Sequence, residues 1–135
     1  MTHTILLIED NEGDIVLMKE ALKEANFQGK IMVIKEGNAA IRFFKENVDA
    51  EALSINLVLL DINLPKRNGH EVLKYIKSSP ELKHLPVVIF TTSSSNADIE
   101  KAYQNFANAF VTKPTDTDEF LEVIAKIQNY WISGI

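Results

Sequence analysis

The sequence predicts an α/β protein in which a doubly wound parallel sheet carries helices on both faces. Short apolar runs alternate along the chain with stretches whose apolar residues recur at helical spacing. Five of these runs contain no polar residue, which is typical of parallel strands buried on both faces. Each run ends in polar residues, so polar side chains are expected to gather at one edge of the sheet.

The first half of the chain holds two strand–helix pairs. The first strand is expected at residues 5–8 and the second at residues 31–34, since both are short and wholly apolar. Between them, the turn residue Gly13 precedes a helix with an apolar stripe. A second helix is expected after Gly37, and the polar residues 49–54 are expected to form a loop.

The second half continues the alternation. The central strand, residues 57–60, stops at Asp61, and Pro65 ends the extended segment because proline has no N–H for a sheet ladder. Gly69 marks the start of the third helix. The remaining strands and helices are expected at residues 87–90, 99–106, 109–111 and 120–131.

Five alternating units predict a single domain over residues 1–135, with a five-stranded sheet of flavodoxin-like order 2-1-3-4-5. In this order the first and third strands are neighbours. The carboxylates that follow them, Glu9, Asp10 and Asp61, are therefore expected to converge at one edge of the sheet.

The composition excludes several classes of function. A net charge of −5 with scattered basic residues argues against a nucleic-acid surface. The absence of cysteine excludes disulfides, thiolate metal sites and cysteine nucleophiles. His3, His70 and His84 lack the spacing of metal ligands and are expected at the surface. No apolar stretch approaches the ~20 residues of a membrane span. Residues 1–4 do not resemble a secretory signal, so we expect a cytoplasmic protein without a membrane partner.

The acidic cluster, which we define as Glu9, Asp10 and Asp61, requires a cation, because three carboxylates in one cleft repel one another. Hard oxygen ligands favour Mg²⁺, and the spacing of a calcium loop is absent. We expect Asp10 and Asp61 to be direct ligands and the longer Glu9 to act through a metal-bound water. The backbone carbonyl of Asn63 is a further candidate ligand.

A second group of residues is suited to holding phosphate. Thr91 ends the fourth strand, and Lys113 brings a positive charge at the end of the fifth strand. Together with Mg²⁺ they would surround a phosphoryl group on Asp61, a reaction that needs mainly positioning and charge neutralisation. The acids after the first strand argue against a nucleotide or flavin pocket, so no organic cofactor is expected. Each residue alone has an ordinary structural interpretation, and the prediction depends on their joint placement.

These residues resemble the response regulator receiver domain of two-component signalling. The motifs that carry the resemblance are Glu9-Asp10, Asp61 with Asn63-Leu64-Pro65, Thr91, and Lys113-Pro114. The resemblance covers residues 5–131. It implies that Asp61 accepts phosphate from a histidine on a partner kinase and that Thr91 is the switch hydroxyl. It also implies that the protein catalyses only its own phosphorylation and slow autodephosphorylation.

In this family an aromatic residue accompanies the switch threonine, and Phe110 occupies that position here. Alternatively, Phe110 is an ordinary core residue. Phosphorylation would change the face formed by the fourth helix, fifth strand and fifth helix. The detailed pattern is similar to small stand-alone regulators of phytochrome-type histidine kinases. Either that face or the C-terminal aromatic patch, Tyr130-Trp131-Ile132, is a candidate homodimer contact; alternatively, Trp131 completes the buried stripe of the last helix.

Two other functions remain open from the sequence. A phosphohydrolase with an aspartyl nucleophile commonly has a second acid two residues later, where this chain has Asn63. A binding module that keeps the fold without switching is the other alternative. It is favoured by Phe110, which has no hydroxyl, and by the branched Thr92 beside the switch threonine.

Overall fold

The computed structural model describes residues 3–49 and 51–133. The described residues form a five-stranded parallel sheet in the order β2-β1-β3-β4-β5. The strands are β1 (Thr4–Ile8), β2 (Lys30–Ile34), β3 (Leu57–Leu60), β4 (Val87–Thr91) and β5 (Ala109–Thr112). The predicted fold class and strand order are therefore confirmed.

Five α-helices alternate with these strands. They are α1 (Glu12–Glu24), α2 (Gly37–Glu46), α3 (Gly69–Ser78), α4 (Asn96–Gln104) and α5 (Thr117–Gln128). A π-helical turn, Asn129–Ser133, continues α5. None of the helices in the described part of the chain has the length and apolar character that a membrane crossing requires.

The core forms two layers because successive strand residues point to opposite faces of the sheet. Leu7 and Leu59 pack on one side with Met18 of α1 and Phe120 of α5. The other side is covered by α2, α3 and α4, and their core residues include Phe44, Leu73, Ile76 and Ala102. The helices therefore cover both faces, as the apolar strands require.

Four of the helices begin with a side chain that caps a free backbone N–H group. Asn11 accepts a hydrogen bond from the N–H of Asp14, and Ser95 accepts one from the N–H of Asp98. Asn68 and Asp116 cap α3 and α5 in the same way. Each of these helices follows a strand, so its capped N-terminus lies at the carboxyl edge of the sheet, the edge at which Glu9 and Asp61 also lie.

The structure differs from the expected elements in two segments. Residues 51–54 form a short 3₁₀-helix where a loop was predicted. The stripe predicted for α4 extends too far, because α4 ends at Gln104 and Phe106 is 73% exposed. Phe106 has a φ of 66°, and the Ala107 N–H donates to the Ala102 carbonyl, so the chain leaves the helix through a left-handed capping turn. The expectations for residues 1, 2 and 50 lie outside the described residues.

Candidate active site

The acidic cluster assembles where β1 and β3 end side by side. The Asp61 N–H donates to the Ile8 carbonyl at 3.0 Å, which extends the ladder by one residue and fixes Asp61 beside Glu9. Ligand oxygens of Glu9, Asp10 and Asp61 all lie within 4.8 Å of one another. Glu9 and Asp61 are buried and Asp10 is exposed, so the cluster lines a cleft that opens to solvent.

Lys113 reaches this cluster from the far edge of the sheet. Its backbone N–H donates to the Thr91 carbonyl at 2.7 Å, which holds the residue at the end of β5. Its Nζ lies 3.0 Å from Asp61 Oδ2 and 2.6 Å from Glu9 Oε1. The structure thus brings together the lysine and the two buried acids that the sequence singled out.

Asp14 is a contact of this lysine that the sequence analysis missed. Its Oδ2 lies 2.8 Å from Lys113 Nζ, and its side chain is 24% exposed. Asn11 caps α1 and so places Asp14 in the first turn, facing the cleft. The capping pattern was visible in the sequence, but it did not indicate that a lysine 99 positions away would reach this carboxylate.

Burial and charge shift two pKa values at the site. Burial raises the pKa of Glu9 to about 7; Lys113 opposes this shift and the neighbouring Asp61 adds to it. Burial alone would lower the pKa of Lys113, but contacts with Asp14, Glu9 and Asp61 raise it above its ordinary value. One ammonium therefore balances several carboxylates, and the site has room for more positive charge.

This donor set fits a divalent cation. All three members of the acidic cluster offer hard oxygen atoms, and Glu9 is a buried carboxyl that the lysine alone does not keep fully ionised at neutral pH. The Asn63 N–H donates to Asp61 Oδ1 at 3.1 Å and so holds the second oxygen of that carboxylate. A metal-binding role for the Asn63 carbonyl stays a prediction.

The loop after Asp61 approaches the strand end closely. A Cβ on Gly69 would lie 2.2 Å from the Asp61 carbonyl oxygen, so a larger residue would displace the first turn of α3. Lys66 in the same loop has a φ of 74°, an uncommon conformation for a residue with a side chain. The loop that follows Asp61 is thus constrained at Lys66 and at Gly69.

Residues 5–125 match the profile of the response regulator receiver domain. This chain belongs to that family. The response regulator Rcp1 of Synechocystis is 35% identical over 132 residues, covering 97% of this chain and 90% of the relative. The probable methanogenesis regulatory protein FilR2 of Methanothrix harundinacea is 37% identical over 128 residues, covering 95% and 83%.

Two solved structures are also closely similar. One is the phosphorylated cyanobacterial phytochrome response regulator RcpA, with a TM-score of 0.93 and 33% identity, covering 100% of this chain and 97% of that chain. The other is the Mn²⁺-bound form of Rcp1, with a TM-score of 0.90 and 34% identity, covering 98% and 96%. The expected resemblance to regulators of the phytochrome type is confirmed.

The two candidate switch residues of the receiver domain lie in different environments. Thr91 is fully buried at the end of β4, and its Oγ1 accepts a long hydrogen bond, 3.4 Å, from the Ser93 N–H. Phe110 is half-buried, packs against the core layer beneath α3 and α4, and donates its N–H to the Tyr103 hydroxyl at 3.1 Å. Thr92 is exposed.

The expected surface position of His70 is wrong. His70 is 4% exposed, and its Nε2 lies 3.0 Å from Asp98 Oδ1 on α4. The other carboxylate oxygen of Asp98 accepts a hydrogen bond from Ser93 Oγ at 2.5 Å. His70 lies in the first turn of α3 and its side chain faces α4. The sequence gives no sign that these two helix starts are close together.

Proposed function

We propose that this receiver domain accepts a phosphoryl group on Asp61 from a phosphohistidine of a partner histidine kinase. An Asp61 carboxylate oxygen attacks phosphorus, the P–N bond breaks, and the kinase histidine leaves with the bonding electron pair. The observation that carries the proposal is the contact of Lys113 Nζ with Asp61 Oδ2, 3.0 Å, inside the acidic cluster. A lone lysine beside a buried aspartate supplies the charge that an acyl phosphate needs.

Different residues of the site have different roles in this reaction. The Asn63 N–H orients the Asp61 carboxylate, and Lys113 neutralises one phosphoryl oxygen. The Thr91 hydroxyl donates to another phosphoryl oxygen after moving from its present contact with Ser93. Glu9, Asp10, Asp61 and the Asn63 carbonyl would hold Mg²⁺, which supplies further neutralisation of charge when bound.

Phosphorylation then changes the surface formed by α4, β5 and α5. The new group adds a charge of about −1.5 to −2 at neutral pH. Thr91 moves towards it, and Phe110, half-buried on β5, turns further inward into the space behind the threonine. The weak anchoring of α4, in which Ala102 is the buried residue, supports this assignment.

The receiver domain is a signalling protein, and we propose that its catalysis is limited to its own phosphorylation and slow autodephosphorylation. Asn63 stands where an efficient phosphohydrolase would need an acid. We propose that residues 1–135 form one receiver domain and that it acts in the cytoplasm. Its partner would be a phytochrome-type kinase, because the similar protein RcpA is a cyanobacterial phytochrome response regulator.

Acetyl phosphate with Mg²⁺ provides the test of the phosphoacceptor. The wild type should gain one phosphoryl group per chain by intact mass, and Asp61→Asn should gain none. Asp49→Asn is the matched control, because Asp49 is an exposed acid that follows the C-terminus of α2 and does not belong to the acidic cluster. Equal labelling of Asp61→Asn, or multiple turnovers on a phosphate ester, would overturn the proposal in favour of another acceptor or of hydrolysis.

A phosphotransfer profile tests the partner. Purified phytochrome-type and other histidine kinases, autophosphorylated with ATP, are each mixed with the receiver domain for short times. Fastest transfer from a phytochrome-type kinase is the expected result. Preferred transfer from another class would leave Asp61 as the acceptor but contradict the assigned input.

We propose further that the receiver domain forms a homodimer through Tyr130 and Trp131 of its C-terminal aromatic patch and the adjacent β5–α5 face. The expectation that Ile132 belongs to this surface is wrong, because Ile132 is 4% exposed and packs in the core with α1 and α5. Tyr130 is 74% exposed and stacks edge-on against Trp131 with ring centroids 5.0 Å apart. A groove of about 410 Å³ runs beside them, lined by Val111, Val123 and Ile127 among others. Sedimentation should show a dimer that Tyr130→Glu disrupts; a monomer at all concentrations would contradict it.

A further inference from the structure

We propose that Asp98 is a positioning residue that holds the switch loop, residues 92–95, in its resting arrangement by tying Ser93 to His70. This inference rests on the proposed function, because the loop matters only if Thr91 moves towards a phosphoryl group. It assigns a role to three residues that lie outside the acidic cluster and that the proposed phosphotransfer does not use.

One carboxylate joins three segments of the receiver domain. Asp98 Oδ1 lies 3.0 Å from His70 Nε2 on α3, and Asp98 Oδ2 lies 2.5 Å from Ser93 Oγ in the switch loop. The Asp98 N–H is itself held at 3.1 Å by Ser95 Oγ, the N-cap of α4. The position of Asp98 on its own helix is therefore fixed, and both of its oxygens are used across segments.

The character of these bonds makes the connection strong. A carboxylate only accepts hydrogen bonds, so Ser93 and His70 must both donate to it. The bonds from Ser93 and His70 lower the pKa of Asp98, which keeps the carboxylate ionised and the bonds charge-assisted. The buried His70 Nδ1 has no hydrogen-bond partner among the described residues, so Asp98 sets the orientation of the ring.

Ser93 transmits this constraint to the switch. Its N–H donates to Thr91 Oγ1 at 3.4 Å, and its carbonyl accepts a hydrogen bond from Thr112 Oγ1 at 3.4 Å. For the Thr91 hydroxyl to reach a phosphoryl group, the Ser93 backbone must release it. Since the Ser93 side chain is bound to Asp98, that release is opposed by the same link that joins α3 to α4.

The consequence is a bias in the two-state equilibrium of the switch. Apolar anchoring of α4 is slight, with Ala102 as its buried residue, so a polar link of this kind makes up a large share of what holds the helix. An interaction present in the resting state and lost in the switched state shifts the equilibrium by its differential free energy. Removing the link should make the receiver domain easier to switch.

Beryllofluoride with Mg²⁺, an analogue of the aspartyl phosphate, tests this inference. Its half-saturating concentration is measured from the amide NMR shifts of Thr91 and Phe110. His70→Leu keeps the apolar volume and removes the donor, and it should lower that concentration about fivefold, or ~1 kcal/mol. His70→Gln restores a donor and should remain within about twofold of the wild type, a rescue that a packing role would not produce.

Asp98→Ala should have the same effect as His70→Leu, and the double variant should add little, because both changes break one link. Glu71→Ala is the control for Asp98→Ala. Glu71 occupies in the first turn of α3 the position that Asp98 occupies in the first turn of α4, but Glu71 is exposed and lies 3.7 Å from Arg67. Thermal melts check that each variant is folded. Three results would overturn the inference. They are equal effects of His70→Leu and His70→Gln, effects of His70→Leu and Asp98→Ala that add in the double variant, and weaker beryllofluoride binding by these variants.

A second measurement separates the two proposals. Without beryllofluoride, Asp98→Ala should speed hydrogen exchange at the Ser93 amide, because the loop has lost its anchor. If beryllofluoride does not change the amide NMR shifts of the wild type, the proposed function fails, whatever the hydrogen-exchange rate of the Ser93 amide. If the wild type responds and the Ser93 amide exchanges at the wild-type rate in Asp98→Ala, the role of Asp98 fails alone.

Discussion

The centre of the sheet and its α4–β5 edge, residues 96–112, differ sharply in how they are packed. Every residue of β1, β3 and β4 is buried. In β5, three residues are half-buried and Thr112 is exposed, and α4 buries Ala102 where α1 buries Ile15, Met18, Ala21 and Leu22. The acids of the receiver domain therefore follow tightly packed central strands, whereas the proposed switching face includes a helix and a strand with little buried surface.

Two side chains join these regions. Lys113 follows β5 yet binds Asp61 and Glu9, which follow the central strands. Thr91 ends a buried strand yet bonds to Ser93 in the loop before α4. A charge placed on Asp61 therefore acts on groups that belong to the loosely packed edge. The comparison implies that mutations in the centre cost stability, while mutations at the edge shift switching and local opening.

The largest expected difference comes from the same substitution made in each region. Val58→Ala removes two methyl groups from a fully buried site in β3 and should destabilise the fold by about 2–3 kcal/mol. Val111→Ala in β5, where the side chain is half-buried, should cost about 1 kcal/mol or less. Urea unfolding measures both. Equal costs would show that the edge is as tightly packed as the centre.

The acidic cluster gives a pH-dependent prediction for the centre. Glu9 has a pKa raised from 4.5 to about 7 in the folded state, so the fold binds more protons than the unfolded chain in that interval. Stability therefore falls as the pH rises from about 4.5 to 7. Without divalent metal, Glu9→Gln should be about 3 kcal/mol more stable than the wild type at pH 8, and nearly equal at pH 4.

Mg²⁺ is the control for this prediction. A metal ion binds the deprotonated carboxylate, so saturating Mg²⁺ should stabilise the wild type at pH 8 more than Glu9→Gln and reduce the difference between them. Denaturant melts at several pH values, with EDTA or with Mg²⁺, provide the measurement. A difference that is the same at pH 4 and pH 8 would show that packing, not ionisation, is responsible.

The sequence was sufficient for the fold because each strand contains an apolar run and four of the five α-helices are capped by Asn, Ser or Asp. It was also sufficient for the meeting of Glu9 with Asp61, because neighbouring parallel strands carry the residues that follow them to the same edge. The lysine at 113 could be placed at that edge for the same reason.

The contacts that sequence reasoning missed depend on side-chain reach and on helix packing. Asp14 touches Lys113 only because the lysine side chain crosses the cleft, and His70 is buried only because α4 packs against the start of α3. Phe106 fits the spacing of an apolar helical stripe, but a left-handed turn takes it out of the helix. None of these features has a signal in residue type or spacing alone.

Asp14 provides a smaller test of the link between the centre and the edge. Its carboxylate and that of Asp61 contact the same lysine Nζ, so a like charge lies no more than about 6 Å from Asp61 Oδ2. Asp14→Asn should favour the phosphorylated state about threefold to tenfold, the range expected for like charges at that separation in a partly hydrated cleft. The measurement is the steady-state fraction phosphorylated at limiting acetyl phosphate.

Glu12→Gln is the matched control for Asp14→Asn. Glu12 lies in the same turn of α1 and pairs with Lys35 at the surface, with a side chain that is 69% exposed. Screening by water and salt should leave its effect on phosphorylation below about twofold. A similar shift in both variants would mean that net charge, and not the contact with Lys113, governs the reaction.

The smallest effect is expected from a single hydrogen bond within the edge. The Tyr103 hydroxyl accepts the Phe110 N–H at 3.1 Å and so joins α4 to β5. Tyr103→Phe removes that acceptor and should cost about 0.5–1 kcal/mol, seen as faster hydrogen exchange at the Phe110 amide, while the central Leu59 amide is unchanged. Tyr130→Phe, at a side chain that is 74% exposed, should change neither amide. Faster exchange at both amides in Tyr103→Phe would mean that the receiver domain opens as one unit, and the contrast between its centre and its edge would then describe packing without describing motion.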